Sequence, residues 1–549
     1  MRRILFAAFT IVILISCNEK QNDAADKICF NAKIWTGDSA NAWADAIAIK
    51  GNKIVYVGKD YQSFKGVNTE MIDLGGKLMT PGFIDNHTHF LFGGYTLSGV
   101  DLRKAKTAKE FISILKEFCQ KYNDDRWILG GNWDHEVWGG ELPSRDWIDS
   151  VTGDHPIFLN RYDGHMALAN SKALEIAGIN KDTKVPEGGE MKKNTKGEYT
   201  GLLKDEAMAL VNKVIPDPTE KELDEYLQAA VQHAFENGVT QVHDMGWYGG
   251  WVDLATYRRN FKKLDLRIYS FVPLSNWARL DSVCKKEGKG DDRLRWGGLK
   301  GFVDGSLGST TAWFYSPYLD DPKTSGLTVT DTTDIRNWVL AADSAGLHIA
   351  VHAIGDRAND FILNVFEEAE KKNSKDHRFR VEHAQHLTQS AIPRFAQLKV
   401  IPSMQPYHAI DDGRWAYKRL DDARLNGTYA FKSLLDNKAN LTFGSDWMVA
   451  PLKPIEGIYA AVTRRTLDDK NPHGWYPEQK ISVEQALKCY TANNAYAGFQ
   501  ENKLGILKKG MLADLVALDE NIFEIAPEKI KDVKVLRTIV NGKQVYLRK

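Results

Sequence analysis

Pro81-Gly82-Phe83-Ile84-Asp85-Asn86-His87-Thr88-His89 is the stretch on which the fold reading turns. Its apolar start after Pro-Gly reads as a short buried strand, and residues i and i+2 of a strand point to one side. His87 and His89 can therefore face one common ion. An isolated His-x-His is weak evidence, because chance and ordinary surface histidines also produce it. The remainder of the chain strengthens it. Seven more short β-like runs, at 239–242, 267–272, 299–303, 347–351, 379–382, 400–404 and 441–444, alternate with helical stretches. Eight such units close a (β/α)8 TIM-like barrel, an α/β fold. A doubly wound open sheet is the alternative, but no Gly-rich phosphate turn comes after the first strand.

The ends of these runs repeat the polar theme. Lys300 lies in the fourth run, His352 ends the fifth, His383 ends the sixth, and Gly444-Ser445-Asp446 ends the eighth. Side chains at the C-terminal ends of barrel strands converge on one site. Four imidazoles, one amine and one carboxylate in that order are hard to explain by packing alone.

Outward from the barrel, the chain of 549 residues has room for further units. The barrel is read over 80–499, with an inserted subdomain at about 90–235 after its first strand, where it would roof the site. Segments 28–79 and 500–549 both carry short strands with turn signals at Gly51-Asn52 and Asn541-Gly542. They read as one small β-sandwich built from the two chain ends. Residues 1–17 have Arg2 and Arg3, then an apolar run from Ile4 to Ser16, too short to span a bilayer comfortably. With Leu14-Ile15-Ser16-Cys17 this resembles a lipoprotein signal peptide, and 18–27 a tether. The expectation is an exported protein held by lipid on Cys17 at the periplasmic or cell-surface face of a bacterial membrane. Cys29, Cys119, Cys284 and Cys489 lack metal or disulfide spacing and read as isolated thiols. Lysine plus arginine and aspartate plus glutamate both number 72, so no basic excess points to nucleic acid.

Several motifs carry a resemblance. The stretch 81–89, Asp304-Gly305-Ser306-Leu307-Gly308-Ser309, His352-Ala353-Ile354-Gly355-Asp356-Arg357 and Glu382-His383-Ala384-Gln385 resemble the amidohydrolase superfamily. Within it they are most similar to the branch of N-substituted formamide deformylases, of amidohydrolase family 3 type. The resemblance implies one or two divalent metals, zinc foremost, with manganese, iron and nickel left open. It puts His87, His89 and Asp446 on one metal, His352 and His383 on a second, and Lys300 between them as a carbon dioxide-derived carbamate. An ion pair of Lys300 with Asp304 or another barrel carboxylate is the other reading of that lysine.

The implied activity is hydrolysis of a non-peptide C–N bond, amide or formamide-like, in a small molecule by metal-activated hydroxide, with Asp446 as the proton carrier. Deamination, lactone or ester hydrolysis and isomerisation on the same fold are alternatives, as is a lipid-tethered, non-catalytic binding protein. A barrel glycosidase would leave the strand-end histidines without a purpose. Substrate contacts are expected from His165, Trp133, Asp304 and His243, each weighed against a packing role. The oligomeric state stays open, a homodimer included.

Overall fold

The computed structural model describes residues 24–161, 166–186, 189–247 and 249–549. The segment expected as a leader with Cys17, residues 18–23 of the expected tether, and His165 lie outside the described residues. Of the span expected as a tether, only residues 24–27 are described. Ala25 is buried and donates its N–H to Phe64, and the first strand already begins at Lys27.

The barrel strands are β1 (Phe83–Thr88), β2 (Val239–Asp244), β3 (Arg267–Pro273) and β4 (Leu294–Phe302), then β5 (His348–Ala353), β6 (Arg380–His383), β7 (Ile401–Met404) and β8 (Thr442–Phe443). Each expected run contributes one of them. They lie side by side in chain order, every adjacent pair parallel. Most of their residues are buried, as expected of strands with helices outside and packed side chains within. The seam between β8 and β1 is nearly closed. There, past the end of β8, the Asp446 N–H donates to the His87 carbonyl at 2.7 Å, and the His89 N–H to the Trp447 carbonyl at 2.6 Å. Two candidate ligand segments are thus stitched together by backbone.

Between β1 and β2 the chain builds a six-stranded sheet from Val100 to Asp205. The helix Glu220–Glu236 does not belong to this insertion. Its buried Leu223, Leu227 and Ala230 pack with Phe90, Val239 and Val242, so it covers the barrel wall. The inserted sheet therefore occupies a narrower span than 90–235. Thr219 and Glu222 form a reciprocal capping box that starts this helix, satisfying N–H groups no helical bond can reach.

The chain ends share one sheet. Leu515–Leu518 pairs antiparallel with Leu78–Pro81, which in turn pairs with Lys33–Trp35. A second, four-stranded sheet from the N-terminal part faces it across a core containing Cys29, Ile47, Ile72, Leu515 and Ile539. Asn541 and Gly542 both have positive φ, 55° and 76°, as a tight hairpin turn requires. All four cysteines among the described residues are free thiols.

Candidate metal centre

His87 sits near the end of β1, wholly buried. Its Nδ1 lies 2.5 Å from Glu382 Oε2. Burial pushes Glu382 up, but the Arg380 guanidinium and His87 more than offset it, holding the carboxyl well below its usual range. Glu382 is therefore an acceptor, and Nδ1 of His87 carries the proton. Burial and the nearby Lys300 lower the His87 imidazole to about 4, so its Nε2 keeps a free lone pair. That nitrogen faces Lys300 Nζ at 3.3 Å and Asp446 Oδ1 at 3.5 Å.

His89 turns to the same point from the other side. Its Nδ1 donates to the Gly246 carbonyl at 2.8 Å, and its Nε2 lies 3.3 Å from Asp446 Oδ1. Burial alone would lower this imidazole, but Asp446 outweighs it and the pKa is raised. Asp446 is itself held well below the usual carboxylate range: burial opposes ionisation, and His89 and His87 overcome it.

His352 ends the opposite side of the ring. Its Nε2 donates to the Gly305 carbonyl at 3.0 Å, which leaves Nδ1 as the lone-pair nitrogen. Burial lowers its pKa to about 3, so it is neutral at ordinary pH. His383 has its ring centroid 4.5 Å from that of His352 and 5.0 Å from that of His87. Its Nδ1 is buried without a hydrogen-bond partner among the described residues. A buried polar atom without a partner costs free energy unless something else satisfies it. One ligand atom each from His87, His383 and Asp446 lies within 4.8 Å of the others.

The donor set fits a metal on chemical grounds. Neutral imidazoles with free lone pairs converge with an ionised carboxylate, and the orphaned His383 nitrogen supplies a further donor. Imidazole and carboxylate donors suit zinc and other first-row divalent ions. Lys300 is buried and its pKa lowered to about 8 by burial, so a fraction of it is the neutral amine at ordinary pH. Asp304 does not hold it as an ion-pair partner. Its carboxylate accepts the backbone N–H groups of Ile354, Gly355 and Trp313 at 3.0, 2.8 and 2.8 Å.

The sequence-derived substrate contacts fare differently. Asp304 is buried beneath the His352 loop, 3.6 Å from His352 Nε2, and fastens backbone rather than facing a ligand. Trp133 is buried in the core of the inserted sheet, and its indole N–H is spent on the Leu159 carbonyl at 2.8 Å. The apolar ring is worth more in that core than at a wet pocket wall. His243 is fully buried, with Nδ1 3.0 Å from an Arg380 nitrogen and Nε2 3.1 Å from Gln241. It props up the guanidinium that holds Glu382, and it reaches no open space. His165 lies outside the described residues.

Three further residues reach the centre: Glu382, met in the sequence only as part of a motif, and Arg380 and His408, which no motif marked. Arg380 and Glu382 are two apart on β6 and share the inward face, where their bidentate pair also meets Asn86 and Ser403. The i, i+2 rule could have found them as a pair. His408, on the helix Pro406–Asp412 after β7, places Nε2 3.8 Å from Asp446 Oδ2. Its helical position hid it, because strand ends were the signal sought.

A parallel eight-stranded barrel with this ring of histidines, lysine and aspartate at its C-terminal rim defines the class of metal-dependent hydrolase barrels. The chain belongs to the Amidohydrolase family, whose profile matches residues 70–546. It is 41% identical over 539 residues to Protein LONG AFTER FAR-RED 3 of Arabidopsis thaliana, covering 95% of this chain and 92% of that protein. It is 26% identical over 543 residues to the N-substituted formamide deformylase of Arthrobacter pascens, covering 95% and 98% respectively. The crystal structure of an uncharacterized metal-dependent hydrolase from Pyrococcus furiosus superposes with a TM-score of 0.75 at 30% identity, over 91% of this chain and 100% of that one. The resemblance read from the motifs thus holds for family and fold.

Proposed function

We propose that this chain hydrolyses a non-peptide C–N bond, amide or formamide-like, in a small molecule. The observation that carries the reading is the convergence of His87, His89, Lys300, His352, His383 and Asp446 at one end of the barrel. The similarity to the formamide deformylase supports the choice of bond. His87, His89 and Asp446 would hold one divalent ion, with zinc the ion best suited. His352 and His383 would hold a second, with Lys300, as its carbamate, between the two groups. A metal bound there supplies Lewis-acid chemistry, lowering the pKa of water from about 16 towards about 7 and polarising a carbonyl.

The chain's own residues do the rest. Glu382 keeps His87 in the tautomer that presents Nε2, as the Gly246 carbonyl does for His89. Asp446, ionised and aimed at the centre, takes a proton from the attacking water and returns it to the leaving nitrogen. A neutral amine then departs, which is the leaving group amide hydrolysis needs. We also propose export and lipid attachment at Cys17, supported by the signal-like segment 1–17; a Cys17→Ala chain that still partitions with membranes would overturn that.

The test is metal content per chain by elemental analysis, followed by a screen of N-formyl amines, N-acyl amino acids, cyclic amides, esters and lactones. About two metals and turnover of an amide are expected. Turnover of esters alone would move the reading to an esterase, and a chain that holds no metal after reconstitution with zinc or manganese would overturn it.

A further inference from the structure

We propose that the cavity beside the metal centre is a subsite for an uncharged, apolar group of the substrate, of ring or branched-alkyl size. This rests on the amide-hydrolase reading and adds the chemistry of the group next to the scissile bond. The cavity has a volume of about 350 Å³ and opens beside His89 and Lys300. Its walls include Trp247, Phe302, Trp338, Leu274, Met245 and Ile335.

Among the described lining residues, His89 and Lys300 are the only ionisable side chains, and both belong to the centre itself. An ammonium group entering here would lose its hydration with no counter-charge to meet, and a carboxylate would find only the lysine and histidine that the proposed metal centre already uses. An apolar group would instead cover wall that is now wet. Trp247 is 49% exposed and Phe302 41% exposed, large rings left open at the mouth. Apolar pockets with a few polar groups at one end are the usual form of a small-molecule site.

Both aromatic walls make contacts of their own that hold their rings in position. Trp247 stacks on Phe92 with centroids 4.1 Å apart and planes at 16°, and meets His89 edge-on at 5.5 Å. Below the ring, the Asp253 carboxylate accepts the N–H groups of Trp247 at 3.3 Å and Gly250 at 3.1 Å. Gly246 and Gly250 take φ of 70° and 67°. A Cβ on Gly250 would come within 2.6 Å of the Phe271 carbonyl oxygen, so only glycine lets the loop lie this close to β3. On the other wall the Phe302 ring lies 5.4 Å from the His352 ring and 4.8 Å from Lys300 Nζ. The two aromatic walls therefore touch opposite halves of the centre, and a group held between them places its neighbouring bond at the ligands. Walls so held reduce the ordering cost of binding.

The experiment compares three formamides on the metal-loaded full chain: N-(2-phenylethyl)formamide, N-methylformamide and N-formylglycine. The expected result is a kcat/KM for the phenylethyl compound at least about tenfold above the other two. Trp247→Ala should erase that advantage through KM, raising it about tenfold with kcat little changed, since one aromatic contact is lost. Equal turnover of all three, or preference for N-formylglycine, would overturn the subsite while leaving the hydrolase reading intact. If no amide is turned over, tryptophan fluorescence titration with N-(2-phenylethyl)formamide decides separately. Saturable quenching that Trp247→Ala abolishes sustains the subsite, and its absence overturns it.

Discussion

The two duties proposed for Asp446 can be separated by one atom. Asp446→Asn keeps the shape and a coordinating oxygen but cannot take a proton. Metal content should therefore stay near that of the parent while kcat/KM falls by about 10²–10⁴, the usual weight of general acid–base catalysis; unchanged turnover would remove Asp446 from the proton path. Glu382 acts through His87 and Arg380 instead. Glu382→Gln leaves the buried Arg380 guanidinium without its counter-charge, which should cost about 3–5 kcal/mol of stability. It should also weaken metal affinity about 10–100-fold, because His87 loses the partner that fixes its tautomer. Thermal melting and competitive metal titration read the two effects independently. The raised pKa of His89 gives a pH dependence. Its Nε2 must lose a proton before it can ligate, so metal affinity should fall as pH drops through that raised value. Metal affinity that does not fall as the pH drops below the ordinary histidine value of about 6.5 would remove His89 as a ligand.

At the scale of elements, the strand ends decide where the candidate ligands point. Alternation along β6 puts Val381 in the core outside the sheet and Arg380 with Glu382 inside. His383 should then point outward with Val381. It does not, because His383 and Ala384 take φ of 71° and 44°, turning the chain at the rim. Asp446 likewise has φ of 58°. Such conformations are uncommon for residues other than glycine, asparagine and aspartate, and they gather at functional sites. A second element-level device joins the barrel to the terminal sheets. Arg267 on β3 makes a bidentate bond to Asp514 at 2.7 and 3.0 Å, both side chains buried. Asp514→Asn should lower stability by about 3–5 kcal/mol, since it strands a buried guanidinium. Chemical denaturation measures it, and a loss below about 1 kcal/mol would mean that the pair is not holding the two units together.

Across the whole molecule, the two ends of the chain complete one body. The strand Leu515–Leu518 is flanked by Leu78–Pro81 from the start of the chain and Val535–Val540 from its end. A chain stopped at residue 534 would lose two strands and leave Leu515–Leu518 as an open, apolar edge. With residues 1–17 removed from both, it should go to the insoluble fraction on expression where the form ending at Lys549 does not; a soluble, metal-loaded short form would show that the barrel stands without that sheet. The insertion is placed the same way, by contacts distant in sequence. Helix Glu220–Glu236 comes after the inserted sheet in the chain yet packs on the barrel, and nothing local distinguishes it from an inserted helix.

The eight strands, the histidine pair and the polar residues at the strand ends were legible from residue order alone, because buried parallel strands leave short apolar runs and a barrel brings their ends together. The two-ended β unit was legible for a similar reason: strand runs and turn pairs are local signals. Tertiary structure alone decided which polar residues face the centre. Trp133, His243 and Asp304 resemble site residues in sequence, and burial turns all three to structural work. His408 and Glu382 come to the ligands through a helix start and an inward strand face, positions defined only once the sheet has closed. Local pattern depends on neighbours a few residues apart, whereas the direction of a side chain at the rim depends on backbone turns and partners hundreds of residues away.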